Sequence, residues 1–332
     1  MLEEIDELAA EHGFSGVVLV SRGDETLFGK AYGLAHRGYG VANTVDTRFA
    51  IASGTKGLTA LTVVSLISDD VLKLETPARE WLGEDLPLIG DDVTVEHLLS
   101  HRSGIGDYCD EDDQADISEY HPPVAPDELT TVEQYVPTLA GHPAKFPAGQ
   151  RFEYNNGAFV VLALLAERAS GVPFPDLVRT RVCEPAGMTE TAFLRSDELP
   201  GRTAVGYISD VRTNLFSLPA VGTGDGGIYS TVRDFRAFWP ALFAGRIVPA
   251  EWVSRMTAVL STETDTTENL RYGLGFWLPL DGTVMLEGYD AGVSFRSVHD
   301  PASGVTHTVV SNTSEGAWPL TRWLSKYFLT GS

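Results

Sequence analysis

The stretch Ser53-Gly-Thr-Lys56-Gly-Leu-Thr-Ala-Leu-Thr-Val-Val-Ser-Leu-Ile-Ser-Asp-Asp70 decides how this chain is read. The residues after Lys56 read as a helix that is apolar almost all round, and such a helix is normally buried. A spacing of three puts Ser53 and Lys56 on one face of its first turn. Ser53 then stands at the helix N-terminus, where outward-pointing N–H groups favour developing negative charge. Burial disfavours the charged form of Lys56 and lowers its pKa. A neutral amine beside a hydroxyl is a nucleophile with its own base. The chain has five lysines, and about 0.3 such Ser/Lys pairs are expected by chance at ordinary serine frequency. The pair therefore needs partners further along.

The chain has 332 residues, with 46 acidic against 24 basic side chains and a formal net charge of -22. That length accommodates two structural units. The charge argues against nucleic acid, a polyanion that would be repelled, and against anionic membrane surfaces. A solvated, soluble surface accounts for it. No apolar run reaches the roughly 18 residues of a membrane span. The start, Met1-Leu-Glu-Glu-Ile-Asp-Glu-Leu8, is acidic and amphipathic and lacks the features of a secretion signal. If Met1 is the native start, the expected location is cytoplasmic. Cys109 and Cys183 are then expected as two free thiols.

Ser15–Ser21 and Glu25–Tyr32 read as a hairpin around Arg22-Gly23-Asp24. From about 70 to 200 the signals are mostly helical. Thr76-Pro77 and Thr94 are helix starts, Thr131–Gln134 fits a capping box, and 157–170 is a second apolar helix stopped by Gly171. Residues 106–128 are acidic, contain Pro122 and Pro123, and read as a long surface loop of the kind that forms lids. A helix over 232–244 follows, then strands at 283–287, 292–298 and 304–310, with turns at 288–291 and 300–304, and a last helix over about 315–328. Strands, helices, strands imply an α+β fold. One antiparallel sheet, built from both chain ends (1–69 and 201–332), is flanked by helices. An all-helical second subdomain (70–200) lies beside it. The active site is expected in the cleft between them.

Partners for Ser53 are present. Tyr154-Asn155-Asn156 directly precedes the second apolar helix, and Gly288-Tyr289-Asp290-Ala291-Gly292 opens a late strand. The order resembles the serine β-lactamase and penicillin-binding-protein superfamily, which carries S-x-x-K, then Y-x-N, then K-T-G or H-x-G. More narrowly it resembles the branch of class C β-lactamases, D-alanyl-D-alanine carboxypeptidases, D-aminopeptidases and related esterases. Phe49–Ser53, Leu98–Gly104, Phe146–Tyr154, Glu184–Met188 and Gly226–Asp234 are similar to further family segments, so the resemblance spans nearly the whole chain.

The resemblance implies a β-lactamase/transpeptidase-like fold and a Ser53 acyl-enzyme. Lys56 and Tyr154 would share base and proton-shuttle work, a neighbouring ammonium lowering the phenol's pKa. Asn156 carries an amide able to orient Lys56 or a substrate amide; its structural alternative is a helix N-cap. Asn155 stands where serine is usual and is expected to point away. The oxyanion donors would be the N–H groups of Ser53 and, by analogy, Gly292. The third motif departs from the family: Tyr289 replaces Lys or His, and Ala291 replaces Gly. A cation that would bind a substrate carboxylate is missing there, and Arg296, facing with Gly292 and Ser294 on an alternating strand, is the candidate replacement.

His101 with Ser103 reads as a buried loop anchor rather than a second triad. The run Asp107, Asp110, Glu111, Asp112, Asp113 lacks EF-hand spacing. Gly222–Gly227 fits no nucleotide fingerprint and reads as backbone passing close to the cleft. No metal or cofactor is implied. The expected function is a serine hydrolase acting through Ser53 on a small-molecule ester or amide: an esterase, amidase or D-aminopeptidase-like enzyme, with weak β-lactamase activity open. The alternative is a non-catalytic or slowly acylating ligand-binding or sensor domain on the same scaffold. The oligomeric state is not legible.

Overall fold

The computed structural model describes residues 2–110, 124–262, 264 and 268–330. Seven strands form one antiparallel sheet: β1 (Gly16–Arg22), β2 (Glu25–Tyr32), β3 (Arg271–Tyr272), β4 (Trp277–Leu278), β5 (Val284–Asp290), β6 (Val293–His299) and β7 (Val305–Ser311). Their spatial order is β2-β1-β7-β6-β5-β4-β3, so the N-terminal hairpin pairs with the C-terminal meander. Gly16 faces Ser311 and Arg22 faces Val305 across the β1–β7 seam. Both chain ends thus build the sheet, as the strand signals imply. β3 and β4, two residues each, are too short for a period-2 pattern to announce them.

Alternation along the strands sorts the two faces. Val18 and Val20 pack with Val309 beneath α1 (Leu2–Glu11) and α5 (Trp318–Thr330). Val17, Leu19, Phe295 and Val310 face the opposite way, toward α2 (Thr55–Ser68), α3 (Asn156–Ser170) and α4 (Val232–Phe243). α2 has thirteen of its fourteen residues buried, so its lack of a polar face is matched by protein on every side. Each of Leu58, Leu61 and Val64, wholly buried, contributes about 1.5–3 kcal/mol on removal from water.

The segment 70–200 is mainly helical, but Ala192–Phe193 is a strand that joins Ile228–Ser230 and Phe49–Ala50 in a second small sheet. The second subdomain is therefore not all-helical, and one hydrophobic core runs from the sheet through α2 into α3. The helix expected from Thr76-Pro77 begins at Arg79; Pro77 instead bridges to Thr94, which caps Val95–Leu99 as its sequence indicates. Of the loop 106–128, residues 111–123 lie outside the described residues, and with them Glu111, Asp112 and Asp113.

Strand β5 carries the sheet up to Ser53. Gly288 is the residue that permits the approach: a Cβ there would overlap the Ile51 carbonyl oxygen and lie 2.9 Å from Ser53 N. Gly288→Ala is therefore expected to lower the unfolding free energy by about 1–3 kcal/mol through overpacking. Urea denaturation of the two proteins checks this; an unchanged midpoint would contradict the contact.

Candidate active site

Ser53 sits in a single 3₁₀ turn, Ala52–Gly54, that runs straight into α2. The turn is entered through Ala52 at φ +45°, a region that L-residues with a Cβ rarely adopt. Its surroundings hold it there. Ile51 N–H donates to the Ile228 carbonyl at 3.0 Å, and Thr55 Oγ1 donates to the Ala52 carbonyl at 2.7 Å. Such over-determined strain is typical of functional sites.

Lys56, 3 % exposed, points its amine back at Ser53. Nζ lies 2.9 Å from Ser53 Oγ, 2.7 Å from Asn156 Oδ1 and 2.8 Å from the Asp225 carbonyl oxygen. These oxygens come from three separate parts of the chain. The Tyr154 ring centroid is 4.8 Å from the same nitrogen. Ser53, Lys56, Tyr154 and Asn156, predicted from two distant motifs, are thus brought together.

Helix α3 is capped by Asn155, whose Oδ1 accepts from Ala158 N–H at 2.7 Å. The cap that was the structural alternative for Asn156 thus falls to Asn155, and Asn156 takes the orienting position expected of it. Asn155 serves the helix, and the amide of Asn156 is released to meet Lys56 and, through Nδ2, the Cys109 carbonyl at 2.8 Å. Asp107 completes the helix start by accepting from Asn156 N–H at 2.7 Å and Gly157 N–H at 2.9 Å. Burial pushes its carboxyl up to about 6, against the pull of those N–H groups and of Lys56. Sequence reading placed Asp107 in an acidic lid; nothing in its sequence setting distinguishes it from Asp110, which pairs with Lys145.

His101 anchors the tyrosine from behind. It is wholly buried at φ +54°. Its carbonyl accepts from Glu153 N–H at 2.8 Å, and its Nδ1 accepts from Asn155 N–H at 3.0 Å. The ring lies 4.4 Å from Tyr154, whose other neighbour, Trp277, stacks at 5.9 Å. Burial, with Lys56 nearby, holds the imidazole pKa well below its ordinary value. Neutrality is what the geometry needs, because a protonated Nδ1 could not accept.

The third motif is arranged differently from its sequence alignment. The Asp290–Val293 pair leaves Ala291-Gly292 as a two-residue turn, with Gly292 at φ +70°. Gly292 N–H donates to Ser314 Oγ at 2.8 Å, which corrects its assignment as an oxyanion donor; the backbone beside Ser53 N is that of Gly288. Tyr289, one residue on, is on the face turned toward α5, with its ring 6.1 Å from Trp318. Arg296 shares that face. It is 5 % exposed, paired with Glu287 and Glu268, and lies over Trp318. Since Phe295 is the β6 residue against Gly54, strand alternation turns Arg296 away from Ser53. It does not replace the missing cation.

Gly222–Gly227 lies against the cleft floor as expected: Asp225 supplies its carbonyl to Lys56, and Gly224 accepts from Thr59 Oγ1 at 2.7 Å. The Asp225 carboxylate accepts from Tyr108 O–H. Asp225 was missed in the sequence, where its one signal is being the lone charge in a glycine run.

Because Asp107 binds its proton more tightly in the folded chain (about 6) than at the usual 3.8, its contribution to folding rises as pH falls from about 6 toward 4. Asp107→Asn should remove that slope from the unfolding free energy. Urea titrations of both proteins at pH 4.5 and pH 7 read the difference; equal slopes would count against the burial of this carboxyl.

The Beta-lactamase family profile matches residues 3–329. Penicillin-binding protein 4* of Bacillus subtilis is 27 % identical over 82 % of this chain and 61 % of its own length. Esterase EstB of Burkholderia gladioli is 32 % identical over 61 % of this chain and 52 % of its own. The crystal structure of a penicillin-binding protein from Bacillus halodurans superposes with a TM-score of 0.89 at 34 % identity, covering 97 % of this chain and 99 % of that one. The chain spans between about half and two thirds of the length of the first curated relatives it matches. No single helix among the described residues is long and apolar enough to cross a membrane. With a profile that runs almost end to end and a serine, lysine, tyrosine and asparagine gathered at one point, the chain belongs to the β-lactamase family.

Proposed function

We propose that this protein is a serine hydrolase that forms an acyl-enzyme on Ser53 and acts on small esters or amides lacking an essential carboxylate. The observation that carries the reading is the setting of Lys56 Nζ among three oxygens. Two of these, an amide and a backbone carbonyl oxygen, can only accept. In its amine form Lys56 donates its two hydrogens to them, which leaves the lone pair for the Ser53 O–H. Ser53 Oγ then attacks the substrate carbonyl carbon as its proton passes to Lys56.

The developing oxyanion receives Ser53 N–H at the start of α2, with the second donor drawn from the backbone at Gly288–Tyr289, where β5 meets the nucleophile. Tyr154, against Lys56 and locked by Trp277 and His101, relays the proton to the leaving group. Deacylation runs the sequence backward with water in place of the leaving group. The preference for substrates without a carboxylate is supported by the engagement of Arg296 with two glutamates, by the orientation of Tyr289, and by the net charge of -22. Kinship to a protein named as an esterase is consistent with it.

Purified protein should be labelled by a fluorophosphonate at Ser53 and should hydrolyse p-nitrophenyl butyrate faster than a chromogenic cephalosporin. Ser53→Ala should lose labelling and at least about 10³-fold in kcat. Tyr154→Phe should retain labelling but lose about 10²–10⁴-fold in kcat/KM. Turnover that survives Ser53→Ala would sink the mechanism, and a cephalosporin turned over as fast as the neutral ester would remove the substrate preference. Labelling without turnover would point to a slowly acylating binding protein.

A further inference from the structure

Residues 105–109 run alongside the first turn of α3 and are tied to it at three points. The Ile105 carbonyl accepts from Asn155 Nδ2 at 2.9 Å. The Asp107 carboxylate accepts from Asn156 N–H at 2.7 Å through Oδ2 and from Gly157 N–H at 2.9 Å through Oδ1. The Cys109 carbonyl accepts from Asn156 Nδ2 at 2.8 Å. Asp107 Oδ1 takes one donor more, the Cys109 N–H at 3.3 Å. Capping accounts for the two donors that open α3, beside the bond that Asn155 makes to Ala158 N–H. It does not account for the third, because Cys109 stands outside any helix.

We infer that Asp107 is a positioning residue whose carboxylate fixes which end of the Asn156 amide faces Lys56. The inference rests on the Ser53 hydrolase reading and adds a residue to it. An amide has an accepting end and a donating end. Asn156 turns Oδ1 to Lys56 Nζ at 2.7 Å and Nδ2 to the Cys109 carbonyl. That carbonyl can only accept, so it holds the donating end and leaves Oδ1 for the amine. Cys109 is itself held by its N–H on Asp107, and the Asn156 backbone is held by the other oxygen of the same carboxylate. One side chain therefore pins both residues of the Cys109–Asn156 bond.

The orientation matters because the two ends of the amide do opposite things to the amine. With Oδ1 toward it, Lys56 donates a hydrogen and keeps its lone pair for the Ser53 O–H. With the amide turned round, Nδ2 would compete with that O–H for the lone pair, and Oδ1 would meet the Cys109 carbonyl, acceptor against acceptor. A carboxylate suits the task better than an amide of the same shape. Three N–H groups converge on Asp107, spread over both its oxygens. An asparagine there has one accepting atom and would set its NH2 against at least one of them. Asp107 is buried, and its pKa of about 6 leaves it ionised, and so acceptor-only, at neutral pH. Among the described residues its hydrogen bonds all go to backbone N–H groups, so its route to the amine is through Asn156.

The test is a double-mutant cycle read on p-nitrophenyl butyrate hydrolysis and on the rate of fluorophosphonate labelling of Ser53, at a pH well above the Asp107 pKa. Asp107→Asn should lower kcat and the labelling rate by at least about tenfold, with KM within about twofold of the wild type. In an Asn156→Ala background the same substitution should change either rate by less than about twofold, because residues that act through one another are not additive. A loss of similar size in both backgrounds assigns Asp107 to the fold or to its charge alone; it overturns the inference and leaves the hydrolase reading standing. Far-UV circular dichroism and urea midpoints check folding. If Asp107→Asn does not fold, Asp107→Ser enters the same cycle with the same expected result. Failure of both variants to fold assigns the carboxylate to the fold and overturns the inference. A folded wild type that neither turns over the ester nor is labelled at Ser53 overturns the hydrolase reading itself, and this inference with it.

Discussion

The amine of Lys56 is the point on which the rest of the site depends. Its three oxygen partners belong to the turn before α2, the first residue of α3, and the glycine segment ahead of Ile228–Ser230. A buried amine is tolerated only where its polar contacts are made. Each of those three pieces of backbone must therefore arrive within hydrogen-bond reach of one atom. That requirement explains features with no meaning alone: the unfavourable φ of Ala52, the glycines that let 222–227 lie flat against α2 and α3, and the use of Asn155 in place of Asn156 as the helix cap.

Much of this could be read in the sequence, and the reason is local. β2 was legible to the residue from its boundaries at Gly23-Asp24 and Gly33, and α2 and α3 from their unbroken apolar character. Ser53 and Lys56 were found because their spacing reflects one helix turn, and Tyr154 and Asn156 because they stand together directly at the start of the second apolar helix. The assignments that fell were those whose meaning depends on strand register. Gly292, Tyr289 and Arg296 were placed by counting along a motif, but the two-residue turn at Ala291-Gly292 sets which residue meets Ser53, and alternation sets which face each side chain takes. A sequence counts residues without showing where a hairpin turns. Asp107 and Asp225 were invisible for a related reason: their partners lie about fifty and a hundred or more residues away, so no short pattern marks them.

Charge is distributed with a consistency that the net figure alone does not reveal. The arginine nearest the third motif is consumed by two glutamates on the far face of the sheet. Carboxylates remain on the near side, in Asp107, Asp225 and Asp290. Asp107 accepts from the N–H groups that open α3, Asp225 from Tyr108 O–H, and Asp290 from Ala291 N–H.

The hydrophobic core that passes without interruption from the sheet through α2 into α3 has a mechanical consequence. Rotating one side of the cleft against the other would shear close-packed side chains such as Leu61, Phe159 and Phe295 past one another. The seam that holds Ser53 and Lys56 is a weld and not a hinge. The distances around Lys56 are thus set when the chain folds, and the site meets whatever enters it as a rigid mould of fixed shape and charge.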